Sequence, residues 1–264
     1  MKLPRGRNDL VHVGQFSAVD VLAAAHLRLI NDSDPGDFFV AGYPKSGNTW
    51  MQLLLAGVLF GADARLAPDS LVQDLIPDVH HRKFYRRYST PTFFKTHELP
   101  QPEYRNVIYL VRDGRDAMVS YYHHLSALGA SPDFLQLVST GNGLFPSLWH
   151  EHVEAWSANP YGARMMIVKY ERLKEDAVAE LKRICEFAKL DSDPKSLASV
   201  VENSAFEIQR EKEKKVGWEG QDWPRDKPFV RRGKVGSFKD EMPEPVLKAF
   251  MERSGPALQM LGYI

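Results

Sequence analysis

Cysteine is almost missing from this chain. Cys185 is the only one in 264 residues, so no intramolecular disulfide can form; the chain suits a reducing compartment, and Cys185 reads as a packing residue. Long apolar runs are missing too. The first, Val19 to Ile30, is broken by Asp20, His26 and Arg28, and the opening Met-Lys-Leu-Pro-Arg-Gly-Arg-Asn-Asp has no signal-peptide pattern, so neither a membrane span nor a secretory leader is expected. An excess of one charge is also lacking: 34 basic side chains balance 34 acidic ones, which argues against a general nucleic-acid binder. Internal repeats, low-complexity tracts and domain-splitting linkers are not found. With 44% apolar residues, the chain fits one α/β domain, residues 1–264, with a sizeable core.

One stretch, Asp37 to Phe60, carries the strongest pattern. Phe38 to Ala41 is a short continuous apolar run, as in a strand buried on both faces, and Gly42 and Pro44 stop it. From Asn48 the residues favour helix, with Trp50, Leu53, Leu54 and Val58 at helical spacing. Strand, loop and helix start together make a cradle for anions, because free backbone N–H groups and the positive end of the helix dipole both point at the loop. The spacing Gly42-x-x-x-x-Gly47 fits the front of the nucleotide-triphosphate P-loop. That motif continues with Lys and then Ser or Thr, whereas here Asn48 and Thr49 follow and the lysine sits inside the loop at position 45. A phosphate-bearing ligand other than ATP handled in the kinase manner is expected; the alternative is a plain strand-to-helix turn with a surface lysine.

Tyr43-Pro-Lys-Ser-Gly-Asn-Thr-Trp50 resembles the 5′-phosphosulfate loop of the cytosolic-type sulfotransferases. These move a sulfuryl group from 3′-phosphoadenosine 5′-phosphosulfate (PAPS) and release adenosine 3′,5′-bisphosphate (PAP). The resemblance runs from about Asp37 to Lys239. Thr92 to Lys95 reads as a short strand, and Lys95-Thr-His97-Glu-Leu-Pro resembles the family's Lys-Thr-His-Leu-Pro segment, whose histidine is the catalytic base; Glu98 is inserted. His97 lies just past a strand end, where open α/β sheets meet their ligands. Asn106 to Val111 is a second buried-type strand, followed by helical periodicity from Ala117. Arg112 and Ser120 match the family's Arg-(x)7-Ser motif for the 3′-phosphate, since a guanidinium fork and a hydroxyl can converge on one anion. Arg115 and Asp116 read as a helix-start ion pair. Tyr170, ending a third strand from Met165, falls where the family has a tyrosine at the adenine, and Ser204-Ala-Phe206 resembles the element whose aromatic stacks on that ring. Arg231-Arg232-Gly233-Lys-Val-Gly-Ser237-Phe238-Lys resembles the third cofactor motif, in which two cations and a glycine amide grip the 3′-phosphate; Ser237 stands where aspartate is common and Phe238 where tryptophan is.

Residues 1–36 form an opening segment with a helix over Val19 to Ile30, closed by the turn cluster Asn31-Asp-Ser-Asp-Pro-Gly. Ala62 to Ser89, with His80-His-Arg-Lys83 and Phe84, Tyr85 and Tyr88, is a long excursion that either covers a substrate pocket or presents a solvated face. Trp149 to Trp156 resembles the family's Trp-x-x-His-Val-x-x-Trp segment near the acceptor. His150 and His152 are two apart, which on a helix sends them to different faces and speaks against a metal site; His152 either lines the acceptor pocket or packs in the core. Leu173 to Leu190 reads as one amphipathic helix, Arg210 to Lys215 as a solvated helix face, Val216 to Lys239 as a loop and Glu244 to Leu261 as a closing helix. The family's dimer motif is not found near Lys239, so no oligomeric state follows from it.

The resemblance implies a P-loop NTPase-like three-layer α/β fold with a central, mainly parallel sheet, and a cytoplasmic enzyme. It implies PAPS held by Lys45, Ser46, Gly47, Asn48, Thr49, Trp50, Arg112, Ser120, Tyr170, Ser204, Phe206, Arg231, Arg232 and Gly233. Lys45 would meet the bridging oxygen of the leaving phosphate and Lys95 the transferring group. Ser120 would restrain Lys45 until acceptor binds, and His97 would take the acceptor proton, with no metal required. The acceptor would be a small phenol, alcohol or amine, with neither nucleic acid nor membrane as partner. Phe84, Tyr85, Tyr121, Tyr122, Phe145 and Trp149 are its expected aromatic wall. The rivals are a P-loop kinase or NTPase and a non-catalytic nucleotide-binding protein.

Overall fold

The computed structural model describes residues 25–219 and 223–264. Its first strand, β1 (Arg28–Leu29), pairs antiparallel with β3 (Phe84–Tyr85). Of the helix expected over Val19 to Ile30, residues 19–24 lie outside the described residues, and the remainder is turn and strand. The physical reason is Arg28, whose guanidinium is held by Asp32 (2.9 Å) and Asp34 (3.0 Å) in the turn cluster, while its backbone pairs with Tyr85.

The central sheet is parallel throughout. It contains β2 (Phe38–Gly42), β4 (Phe93–Thr96), β5 (Asn106–Val111) and β6 (Arg164–Lys169) in the order β4-β2-β5-β6. Parallel strands need crossover connections, and these cover the sheet on both sides, so the strands read as unbroken apolar runs. Side chains alternate between the two layers. Phe38, Val40, Phe93, Ile108 and Leu110 pack against α1 (Asn48–Phe60), α7 (Ala177–Ala188) and α8 (Pro194–Asn203). Phe39, Ala41, Phe94, Val107 and Tyr109 pack against α3 (Gly114–Ala127), α4 (Phe134–Thr140), α5 (Trp149–Ala158) and α11 (Glu244–Met260). The register β2 to β4 sets Phe38 opposite Phe93 and Phe39 opposite Phe94, and both ring pairs stack, at 4.9 and 5.2 Å between centroids. This is the three-layer architecture the resemblance implies. Among the described residues no helix is long and apolar enough to cross a membrane.

Two expected helices differ in detail. The run Leu173 to Leu190 is divided into α6 (Tyr170–Glu175) and α7, because Asp176 between them leaves helical geometry (φ −148°, ψ 84°) and its carboxylate caps α7 by accepting the Ala179 N–H (3.0 Å). The charged run in α9 (Phe206–Val216) is only partly solvated. Lys212 donates to the carbonyls of Ala64 (3.2 Å) and Ala67 (2.5 Å), and Glu213 accepts the N–H groups of Phe229 and Val230, so this helix anchors two neighbouring loops. A seven-residue helix, α2 (Asp69–Leu75), lies in the excursion before β3, and a short α10 (Phe238–Glu241) follows the last loop.

Candidate active site

At the carboxyl ends of β2, β4 and β5 lies a cavity of about 520 Å3. The chain leaves β2 at Gly42 and turns into α1 through two left-handed residues, Lys45 (φ 71°) and Gly47 (φ 100°). Glycine is required at 47 on two counts, the backbone angle and the Tyr170 ring, which a Cβ would approach to 2.8 Å. The first helical bond runs from the Met51 N–H to the Gly47 carbonyl, which leaves the N–H groups of Asn48, Thr49 and Trp50 ahead of the ladder. Lys45, Gly47, Asn48, Thr49 and Trp50 border the cavity. Ser46 is not brought to its wall: its hydroxyl is buried without a partner and its N–H bonds back to Tyr43 (3.1 Å).

Arg112, at the end of β5, ties two loops together. Its guanidinium donates to the carbonyls of Lys45 (3.0 Å) and Lys234 (3.1 Å), lies over the Tyr170 ring, and keeps its Nε without a partner. The expected Arg115–Asp116 pair is not formed. Arg115 pairs with Asp113 (2.7 Å), whereas buried Asp116 accepts the N–H groups of Gly236 (2.6 Å) and Phe238 (2.9 Å) and the Ser237 hydroxyl (3.2 Å). A carboxylate in the first turn of α3 is enclosed by the loop and takes the loop's free amides instead of the Arg115 guanidinium. Ser120, one turn further along, reaches the same cavity as Arg231, Arg232 and Gly233. Glu241 binds both arginines (2.6 and 2.7 Å) and His123 (2.9 Å); burial pushes its carboxyl up, but the two guanidiniums outweigh this and hold it below its ordinary range.

Trp50, Tyr170 and Phe206 form an aromatic corner of the cavity, with the Trp50 indole donating to the Ser204 hydroxyl (3.2 Å). Gly233 (φ 57°) supports that corner: a Cβ there would lie 2.4 Å from the Phe206 ring. Gly233→Ala is therefore expected to weaken PAP binding about tenfold, the lower part of the 1–3 kcal/mol range for overpacking. Gly236→Ala is the control, since it shares a positive φ but its Cβ would meet nothing within 4 Å. Calorimetric titration of both variants separates ring displacement from backbone strain.

The reactive groups lie at the sheet end. His97 follows β4, and its Nδ1 is 2.6 Å from the Gly42 carbonyl. A carbonyl only accepts, so Nδ1 carries the hydrogen and Nε2 holds a free lone pair. Burial, then the neighbouring Lys95 ammonium, pushes the imidazole well below its ordinary pKa, against the opposing pull of the Gly42 bond and Asp78. Lys95 is buried and paired with Asp78 (2.7 Å). Lys45 Nζ stands 3.4 Å from His124 Nδ1, and its pKa is pushed down to about 7 by burial, then by Lys95, Arg112 and Arg231. Burial and Lys45 take His124 to about 4.

Of the expected aromatic wall, only Tyr121 and Phe145 border the cavity. Tyr85 and Trp149 are core residues, Tyr122 stacks on Phe134, and Phe84 is exposed on β3. Apolar pattern alone does not distinguish wall from core. Phe229 and Trp218, stacked at 3.8 Å, take the other positions together with His81 and His124. His152 is a core histidine: fully buried, 3.0 Å from the Tyr109 hydroxyl, and pushed by burial to about 3. Sequence reading missed Asp78, His80, His124 and Glu241 as neighbours of the site. Only His80 carried a signal, the His80 to Lys83 run.

Comparison with known proteins gives the family of the chain. A sulfotransferase domain model matches residues 35–262. Mouse sulfotransferase 1B1 is 27% identical over 261 residues, covering 89% of this chain and 87% of that protein. The structure of mouse sulfotransferase SULT7A1 complexed with PAP superposes with a TM-score of 0.63 at 20% identity, covering 94% of each chain. That of retinol dehydratase with retinol and PAP superposes with a TM-score of 0.66 at 22% identity, covering 85% of this chain and 81% of that one. Those two likenesses establish the shared fold; because the domain match spans most of the sequence, the chain belongs to the sulfotransferase family and is a PAPS-dependent sulfotransferase.

Proposed function

We propose that this enzyme transfers the sulfuryl group to a hydroxyl, or an amine, of a small acceptor, with His97 as general base. The observation that carries the reading is the His97 ring, fixed through Nδ1 to the Gly42 carbonyl so that a neutral Nε2 remains free in the cavity that Lys95 and Lys45 also line. The acceptor oxygen attacks sulfur in line, its proton passes to His97 Nε2, and the bond from sulfur to the 5′-phosphate oxygen breaks with its electron pair leaving on PAP. Charge then builds on that oxygen, where Lys45 and the amides of Asn48 to Trp50 stabilise it; Lys95 serves the transferring group and Ser120 restrains Lys45.

The residues present fit the nucleotide. Arg112, whose buried Nε has no partner, and the loop residues Lys45 and Gly47 to Trp50 border a cavity whose wall, among the described residues, holds no carboxylate. Arg112, Ser120, Arg231, Arg232 and the Gly233 amide would hold the 3′-phosphate, and Trp50, Tyr170, Ser204 and Phe206 the adenine. Tyr121, Phe145, Phe229 and Trp218 suit a flat acceptor of modest size. We place its action in the cytoplasm and within one domain, on the family resemblance. Calorimetry tests the donor: PAP is expected to bind with or without magnesium and more tightly than ATP. Tighter, magnesium-dependent ATP binding would overturn the reading.

A further inference from the structure

β4 is an edge strand, and its outer side is filled by the segment 77–80 of the excursion before β3. The Lys95 N–H donates to the Pro77 carbonyl (2.8 Å), and the Val79 N–H donates to the Lys95 carbonyl (3.0 Å). The next donor on this edge is the His97 N–H. It meets a side chain instead of a carbonyl, His80 Nε2, at 2.9 Å. The two imidazoles lie nearly parallel, 10° apart with centroids at 5.8 Å, and the Phe145 ring stands edge-on to His80 at 4.9 Å. Because His80 Nε2 accepts, its hydrogen sits on Nδ1, which faces the Glu98 carboxylate at 3.5 Å.

We propose that His80 is a positioning residue for the base: it fixes the His97 backbone while the Gly42 carbonyl fixes the His97 ring. Two anchors on one residue hold Nε2 where the acceptor proton must arrive, and small errors in such placement lower the rate steeply. The same segment fixes the neighbouring cation, since Asp78 pairs with Lys95 (2.7 Å) and accepts the His80 N–H (2.9 Å). This inference rests on His97 being the base.

The test uses the full chain, labelled PAPS and 2-naphthol as the acceptor probe, with PAP affinity measured in parallel. His80→Leu is expected to lower kcat about tenfold or more with PAP affinity unchanged within about twofold, whereas His80→Gln, whose amide oxygen can accept the same N–H, keeps at least about a third of kcat. In a His97→Ala background, His80→Leu is expected to add nothing. Wild-type kcat in His80→Leu, equal loss in the Leu and Gln variants, or a further loss on top of His97→Ala would each overturn the proposal. Should the leucine variant fail to fold, His80→Asn replaces it with the same outcomes, since its shorter amide does not reach the His97 N–H. Full turnover in His97→Ala alone would instead remove the base assignment on which the proposal stands.

Discussion

Replacing His97 with alanine is expected to lower turnover by about 10²- to 10⁴-fold while PAP binds as before. The ring makes its hydrogen bond to the Gly42 carbonyl, and it is not among the residues proposed to hold the nucleotide. Removing it therefore takes away a proton acceptor without touching the nucleotide's holders. The pH profile supplies a second readout. Burial and Lys95 keep the imidazole unprotonated well below its ordinary pKa, so the base form persists through neutrality and turnover falls only when acid protonates Nε2. The acidic limb of kcat/KM should therefore lie below pH 6.5, the imidazole's ordinary value, and vanish in His97→Ala. Turnover close to wild type in that variant, by transfer of label from PAPS, would remove the histidine from the mechanism.

The sheet and its loop were legible because their signals are local. Phe38 to Gly42 and Asn106 to Val111 are largely apolar runs of strand length stopped by turn residues, and the lysine-bearing loop between Gly42 and Asn48 joins such a run to a segment of helical periodicity. The nucleotide side was read from resemblance in three separated motifs taken together, since Arg231-Arg232-Gly233 on its own is an ordinary basic surface turn. What stayed hidden depends on which residues meet across the fold. Asp116 looked like half of a helix-start ion pair, and becomes the anchor of residues 236–238 only because the loop closes over α3. His80 and Asp78 sit in an excursion with no regular period, and their pairing with His97 and Lys95 arises from an edge strand left open by the sheet order. Glu241 lies ten residues beyond Arg231 in an unremarkable acidic stretch. The acceptor wall was least legible: Tyr85 and Trp149 are aromatic like Phe145 and Phe229 but pack in the core.

Nucleotide affinity is expected to fall by roughly tenfold per pH unit above pH 7, and the cause is Lys45. Its ammonium is half-buried in a loop among cations: Lys95, Arg112 and Arg231 surround it, and its near neighbour His124 is a neutral imidazole at this pH. These bring its pKa to about 7 in the nucleotide-free protein, so above neutrality the lysine has largely given up its proton. An anion placed against the loop favours the charged form and raises that pKa again. The sign follows directly. Below pH 7 the lysine is already charged and binding needs no proton; above it, each binding event must take one up, and the dissociation constant rises with pH until the pKa of the complex is reached. His97 and His124 finish titrating well below this window, and phosphate groups, with a second pKa of about 6, are largely ionised by pH 7, so between pH 7 and 9 the slope belongs to the lysine. Calorimetry of PAP binding at pH 8 in buffers of different ionisation enthalpy should report uptake approaching one proton. Lys45→Met should abolish both the uptake and the slope, leaving weak, pH-independent binding. A flat profile in the wild-type enzyme would mean that Lys45 keeps its proton without the nucleotide, and that the surrounding cations do not discharge it.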